Sequence, residues 1–193
     1  MVELAAERLP RHYGVDPVRD IQVLAPIYRG LAGVDVLNAW LRELLNANGD
    51  ACMDGAVRVG DKLIQTRNDY DTGLMNGQIV IACGENDEGE ELVVESDDGR
   101  RVAVPAAGIH TLRPGYAISI HKSQGCEMPI VVVPVHTSHA VLLSRNLLYT
   151  AVTRAKMACV LVGQPEALRR AVSRAGAFRR HTRLGGLLAE RVG

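Results

Sequence analysis

The 193-residue sequence is poor in aromatic side chains, which make up 4% of positions, with one Trp and one Phe. Its core must therefore be filled by Val, Leu, Ile and Ala, and an apolar content of 47% is ample for that. Net charge is also lacking: 22 basic residues balance 22 acidic ones, which excludes a uniformly basic nucleic-acid coat. The apolar runs are only a handful of residues, too short to span a bilayer. Cys52, Cys83, Cys126 and Cys159 stand far apart and form no CxxC or Cys/His cluster, so no zinc site is expected. Free buried thiols in a reducing cytoplasm are expected instead. The first residues, MVELAAERLP, lack the layout of a signal peptide, and a soluble cytoplasmic protein follows as the expectation.

A further absence concerns phosphate binding. SIHKSQG, Ser119–Gly125, sets a Lys-Ser pair beside a glycine, but His121 stands where a P-loop needs glycine. Gly115 is too far upstream and Gly125 follows the pair, so the backbone nest that wraps a phosphate cannot form. No other segment supplies the pattern, and no apolar strand ends in the paired acids that hold Mg²⁺ beside a P-loop.

What is present is uneven charge and alternating elements. Glu85–Asp98 holds eight acids and no Lys or Arg, whereas Arg145 to the end holds ten basic residues against Glu166 and Glu190. An acidic solvated loop and a basic carboxy-terminal face, or simply a solvated surface helix, follow from this. Residues 1–20, broken by Pro10, Gly14 and Pro17, read as an irregular lead-in. Ile21–Pro26 reads as a buried strand, and Val34, Leu37, Leu41, Leu44 and Leu45 as one face of a helix stopped at Asn48-Gly49. Trp40 reads as a core or helix-packing residue rather than a base-stacking one. Lys62–Thr66 reads as a strand. QIVIACG, EELVVES and RRVAVP, separated by ENDEG and DDG, read as a small antiparallel unit. Ile130–Val135 is a buried strand, LLSRNLLYTAVTRAK a helix, Cys159–Gly163 a strand, and PEALRRAVSRAGAF a helix with Pro165 near its start. Strands alternating with helices predict an α/β fold with a mostly parallel sheet.

Three stretches carry chemistry. Tyr28 and Arg29 in APIYRG follow a strand, at the sheet edge where ligands bind in open α/β folds. Alone they also fit ordinary loop residues. His121, Lys122, Ser123 and Gln124 place four hydrogen-bonding side chains in a row before Gly125 and Glu127. Their donors suit phosphate of a nucleotide or of a nucleic-acid strand, although a polar turn has the same composition. In LLYTAVTRAK, Leu147, Leu148, Ala151, Val152 and Ala155 pack one side of a helix, with Thr150, Thr153 and Arg154 around its other edge. An arginine so fixed suits a clamp on a transferring phosphoryl group, or a surface salt bridge.

Together, in this order and spacing, IQVLAPIYRGLAGVDVLN, GDKLIQTRNDYDTGLMNGQ, AISIHKSQGCEMPIVVVPV and SRNLLYTAVTRAKMACVLVG resemble the second RecA-like domain of a superfamily-one DNA helicase. The RecD-like, Pif-like branch, with its UvrD-like carboxy-terminal motifs, is the most similar. The resemblance covers about residues 20–165. It implies a RecA-like, mostly parallel sheet flanked by helices at 21–74 and 113–164. A small antiparallel β-barrel would be inserted at 75–112, and a helical tail would occupy 165–193. It further implies a motor that closes two RecA-like domains on ATP and walks 5′ to 3′ along single-stranded DNA. The P-loop, the Mg²⁺ ligands and the catalytic glutamate would come from the other RecA-like domain, in cis or in trans. On this resemblance Arg154 is the arginine finger and Arg29 a second phosphate contact. Gly125 and Glu127 face the nucleotide, with Glu127 near the ribose, and Tyr28 lies near the base. Ser119, His121 and Lys122 lie toward the DNA backbone, with Asn68 on the same strand. Met128 departs from the pattern, in which an aromatic often follows the glutamate. The acidic Glu85–Asp98 loop is a poor DNA surface and suits protein docking better. The alternative reading is a non-catalytic nucleic-acid-binding or regulatory module on a degenerate helicase fold.

Overall fold

The computed structural model describes residues 1–139 and 142–174. The lead-in is not irregular. A π-type turn, Leu4–Arg8, runs into helix α1, Leu9–Tyr13, and buries Ala5, Ala6 and Leu9. The residues that read as breakers are helix punctuation here: Pro10 sits in the first turn of α1, and Gly14 caps its end at φ 67°.

Strand β1, Ile21–Ala25, is buried at every position, as a strand covered on both faces must be. Helix α2, Val34–Asn46, follows and buries Val34, Leu37, Asn38 and Leu41. Trp40 and Leu44 fall outside that stripe and stay about half exposed, so neither is a core residue. A short hairpin, β2 (Ala51–Cys52) and β3 (Val57–Arg58), leads to β4, Lys62–Gln65. Then come β5 (Ile79–Glu85), β6 (Glu91–Ser96), β7 (Arg101–Pro105) and, after a 3-10 turn, β8 (Leu112–Pro114). Strand β9, Ala117–Ser119, passes through a 3-10 turn, Ile120–Ser123, to β10, Met128–Val135. Helix α3, Arg145–Val152, strand β11, Ala155–Gly163, and helix α4, Pro165–Ser173, complete the described chain. The rest of the expected helical tail lies outside the described residues.

The strands form a parallel sheet in the order β11-β10-β1-β9 and an antiparallel sheet in the order β7-β6-β5-β4-β8. The mixed α/β fold is as expected. The inserted unit differs in two respects. It runs from Lys62 to Pro114 rather than from residue 75, because β4 pairs with β5 and β8. Its edge strands β7 and β8 are joined by the turn Ala106–Thr111 with no ladder between them among the described residues, so the sheet is open rather than a closed barrel.

Separate apolar clusters cover the two faces of the parallel sheet. Leu147, Leu148, Ala151, Ala167 and Ala171 of α3 and α4 pack on Leu24, Val131 and Val133. Leu37, Leu41 and Leu9 pack on Ile21, Val23 and Val132. Edge strand β11 is less covered, with Met157 61% exposed and Leu161 37%.

Polar bonds fasten the insert to this core. The Asp61 carboxylate accepts from Arg42 at 2.6 and 3.1 Å, Asn46 at 2.8 Å, the Arg58 amide at 2.8 Å and the Tyr116 hydroxyl at 3.1 Å. Burial pushes this carboxyl up, and the bonds from Arg42, Arg58 and Asn46 outweigh it and hold it below the usual range. Lys62, 1% exposed, donates to the Ile21 carbonyl at 3.0 Å. Gln22 donates to the carbonyls of Gly115 and Tyr116, both at 3.0 Å.

Candidate nucleotide and nucleic-acid site

Parallel register sorts the expected site residues to two edges. At the carboxyl edge, Ala25 lies level with Ser119. The loop after β1 folds back on α2 through bonds from the Val34 amide to Ile27 O (3.0 Å) and from the Asp35 amide to Tyr28 O (3.1 Å). This brings the Tyr28 hydroxyl to the Ser119 hydroxyl at 3.2 Å. The Lys122 amide also donates to Ser119 Oγ, at 3.4 Å, capping the 3-10 turn. Short β9 is held at its open side by Asn38, whose amide exchanges two 2.8 Å bonds with Ala117.

These residues line a groove of about 640 Å³ between α2 and the insert. Tyr28, Ser119 and Lys122 meet Thr66 and Arg113 of the insert and Arg42 of α2 there. Thr66, Arg113 and Arg42 were not singled out in the sequence. The available signal was position: Arg113 and Pro114 are separated by two residues from the AISIHKSQG strand and turn. The loop carrying Asn68 approaches the same turn. Asn68 Oδ1 accepts the Asn76 amide at 2.9 Å, and a side chain at neighbouring Gly77 would lie 3.8 Å from Lys122 O. Arg29 and His121 are exposed.

At the amino edge, Met128 pairs with Ala155. Arg154 is not on a helix, since α3 ends at Val152 and the expected helical stretch through Lys156 enters β11 instead. Arg154 sits in the turn between them. Its Nε donates to Thr150 O at 3.2 Å and its Nη1 to Cys126 O at 3.1 Å, while its own carbonyl accepts from Met128 N at 2.9 Å. Glu127 pairs with Lys156 at 3.3 Å on the surface. Burial pushes the Cys126 thiol up, with Arg154 opposing. Gly125 holds φ 88°, a left-handed value that a side chain would strain, and open space lies where its Cβ would be.

The structure thus brings Arg154, Glu127 and Gly125 together at one edge, and Tyr28, Ser119 and Lys122 at the other. Along β10 the two levels are about 20 Å apart, at about 3.3 Å per residue. The single segment from Ser119 to Glu127 joins them. The four cysteines are free. Among the described residues no group of three His, Cys, Asp or Glu could hold a metal, and no helix is long and apolar enough to cross a membrane. The Arg154 fork, open Gly125 and surface Glu127 have the chemistry to meet an anionic ligand such as a nucleotide.

Known proteins share the sequence and fold of this region. The UvrD-like helicase C-terminal domain family matches residues 114–162. The ATP-dependent RecD2 DNA helicase of Deinococcus radiodurans is 39% identical over 138 residues, covering 70% of this chain and 19% of that protein. The RecBCD enzyme subunit RecD of Mycolicibacterium smegmatis is 34% identical over 152 residues, covering 76% and 26%. The chain therefore spans about a fifth to a quarter of the curated relatives it matches. In structure, a Bacteroides Pif1 helicase in complex with ADP-AlF3 and ssDNA superimposes with a TM-score of 0.58 at 17% identity, covering 99% of this chain and 50% of that one, which shows the shared fold. The chain is thus similar to RecD-type helicases over about 70–76% of its length, and its residues 114–162 match the UvrD-like helicase C-terminal domain family.

Proposed function

We propose that this chain is the carboxy-terminal motor portion of an ATP-dependent DNA helicase. It supplies the arginine finger and part of the single-strand track, and a P-loop-bearing RecA-like domain supplies the rest. The observation that carries this reading is the two-edged layout, with one polar turn running between an arginine-bearing edge and a grooved one. Arg154 acts on the γ-phosphate, with Gly125 and Glu127 beside the nucleotide. The amino edge of this chain binds and orients ATP, and Mg²⁺ is held by the partner domain. Magnesium, when bound there, neutralises charge on the transferring phosphate.

Ser119, His121 and Lys122 contact the DNA backbone, with Asn68 from the insert on the same strand. Sharing a groove with Ser119 favours Tyr28 as a base-stacking residue of the DNA side, where aromatic faces accept any base. Its neighbour Arg29 then joins the same edge as a phosphate contact.

The decisive experiment is ATPase activity of the purified chain, alone and with an added P-loop-bearing domain, with and without single-stranded DNA. DNA-stimulated hydrolysis only on mixing is the expected result. DNA binding with no hydrolysis in either case would favour the non-catalytic binding module, a reading supported by the lack of any P-loop pattern in the 193 residues.

The track has its own test. Lys122→Ala should weaken single-strand binding by the chain evenly across sequences, and lower the salt slope by about 0.7, the value for one phosphate contact on a single strand. An unchanged slope would remove Lys122 from the track.

A further inference from the structure

We propose that Arg154 is also a latch: without nucleotide, its guanidinium holds the Gly125–Cys126 turn closed, and that turn sets the geometry of Ser119–Lys122 at the opposite edge. The proposal rests on the reading of Arg154 and Lys122 given above and adds how one edge acts on the other.

The first observation is where the arginine points. A guanidinium waiting only for phosphate would leave its fork to solvent. Here Nε and Nη1 are engaged on the carbonyls of Thr150 and Cys126, 3.2 and 3.1 Å away. The Cys126 contact crosses 28 residues of sequence, so it ties the end of α3 to the polar turn. A side chain at Gly125 would face open space, so none braces the turn from that side. Two hydrogen bonds brace the turn, one from Arg154 to Cys126 O and one from the Cys126 amide to Ser123 O, 3.1 Å.

The second observation is what lies beyond the turn. Ser123, 2% exposed, donates to Ile120 O at 2.8 Å. The Gln124 amide donates to His121 O at 3.4 Å, and the Lys122 amide to Ser119 Oγ. Ser119 Oγ is also the acceptor for Tyr28 in the groove. Successive local hydrogen bonds thus brace the backbone segment that runs from the groove at Ser119 to the Arg154 contact at Cys126.

Arg154 has two seats, and they exclude one another. A phosphate accepts a guanidinium fork through two charge-assisted bonds, a better partner than two peptide carbonyls. When the phosphate takes the fork, Cys126 O loses its donor and the turn is freed. Linkage makes this reciprocal: DNA that favours the closed turn opposes release of Arg154. The two seats supply the two-state element that such coupling requires.

The test uses this chain alone, with no nucleotide, and compares it with Arg154→Met, which keeps the apolar stem and removes the fork. Hydrogen exchange at the Cys126 and Gln124 amides should quicken about tenfold, as expected of a local opening. Affinity for a fluorescein-labelled oligo-dT should shift about fivefold or more, although the substitution lies at the other edge. Unchanged exchange at Cys126 with unchanged oligo-dT affinity would overturn the latch. So would equal quickening at Val80 in the insert core, since Arg154 would then be a general prop. Neither outcome bears on the finger role, which is read separately by hydrolysis in the assembled enzyme.

Discussion

Arg154→Ala, in an enzyme assembled from this chain and a P-loop-bearing domain, is expected to lower ATP turnover by about 10³–10⁵-fold and to leave ATP affinity within a few-fold. The reasoning is differential binding. A guanidinium that meets the γ-phosphate matters most as charge spreads over the transferring group, so its loss appears in turnover rather than in ground-state binding. Turnover should be measured at saturating DNA, so that a changed grip on the strand does not enter. Arg154→Lys should recover little, because a point charge cannot reproduce the planar fork. Turnover within about tenfold of the parent would remove Arg154 from the transition state, and with it the central claim of the proposed function.

The second large effect concerns Lys62. It is buried, with the Ile21 carbonyl as its hydrogen-bond acceptor, and burial pulls its pKa from 10.5 to about 7 despite Asp16 and Asp20 nearby. The folded chain therefore binds fewer protons here than the unfolded chain between about pH 7 and 10.5. Across that window stability rises with pH. Below about pH 7 both states are protonated, and the cost of a buried cation is fully present.

Lys62→Met removes that cost. Its ceiling is about 5 kcal/mol for a shift of this size, at about 1.4 kcal/mol per pKa unit. Losing the bond to the Ile21 carbonyl offsets about 1 kcal/mol. Urea midpoints at pH 6 and pH 9 for both proteins test this. The variant should be the more stable at pH 6, with the gap closing toward pH 9. Parallel pH profiles would mean that Lys62 is not held in a low-dielectric site.

Much of the fold was legible because burial leaves a clear mark on sequence. IQVLA and IVVVPV read as strands covered on both faces, and so they are. The insert's hairpins were legible from Asp-Gly and Gly-rich turns flanked by β-branched runs. What misled was local propensity where a long-range partner decides. Ala155–Ala158 favours helix by composition. Yet Ala155–Gly163 is drawn into a parallel ladder with β10, while Thr150 and Thr153 bond back to Asn146 O and Tyr149 O as α3 closes.

The candidate site was legible by type and not by place. Arg154, Gly125 and Glu127, expected at one ligand, lie near one another because they flank one strand pair. Tyr28 and Arg29, expected at the same ligand as Arg154, follow β1 at the carboxyl edge, and a motif carries no information about which end of a sheet it occupies. Only the parallel register separates them.

The stitch made by Gln22 has a consequence for how the chain folds. Its side chain reaches Tyr116 across 94 positions, and β1 meets both its sheet neighbours only at that sequence distance or beyond. All of the insert's ladders but that of β4 with β8 join strands that follow one another closely. Short loops close first, and a contact that spans a long loop waits on them. The antiparallel insert is therefore a splint formed early, which shortens the search that brings β9 and then β10 to β1. During synthesis both hydrogen-bonding edges of β1 stay unpaired until Ala117 has left the ribosome, an interval in which the nascent chain is open to mispairing.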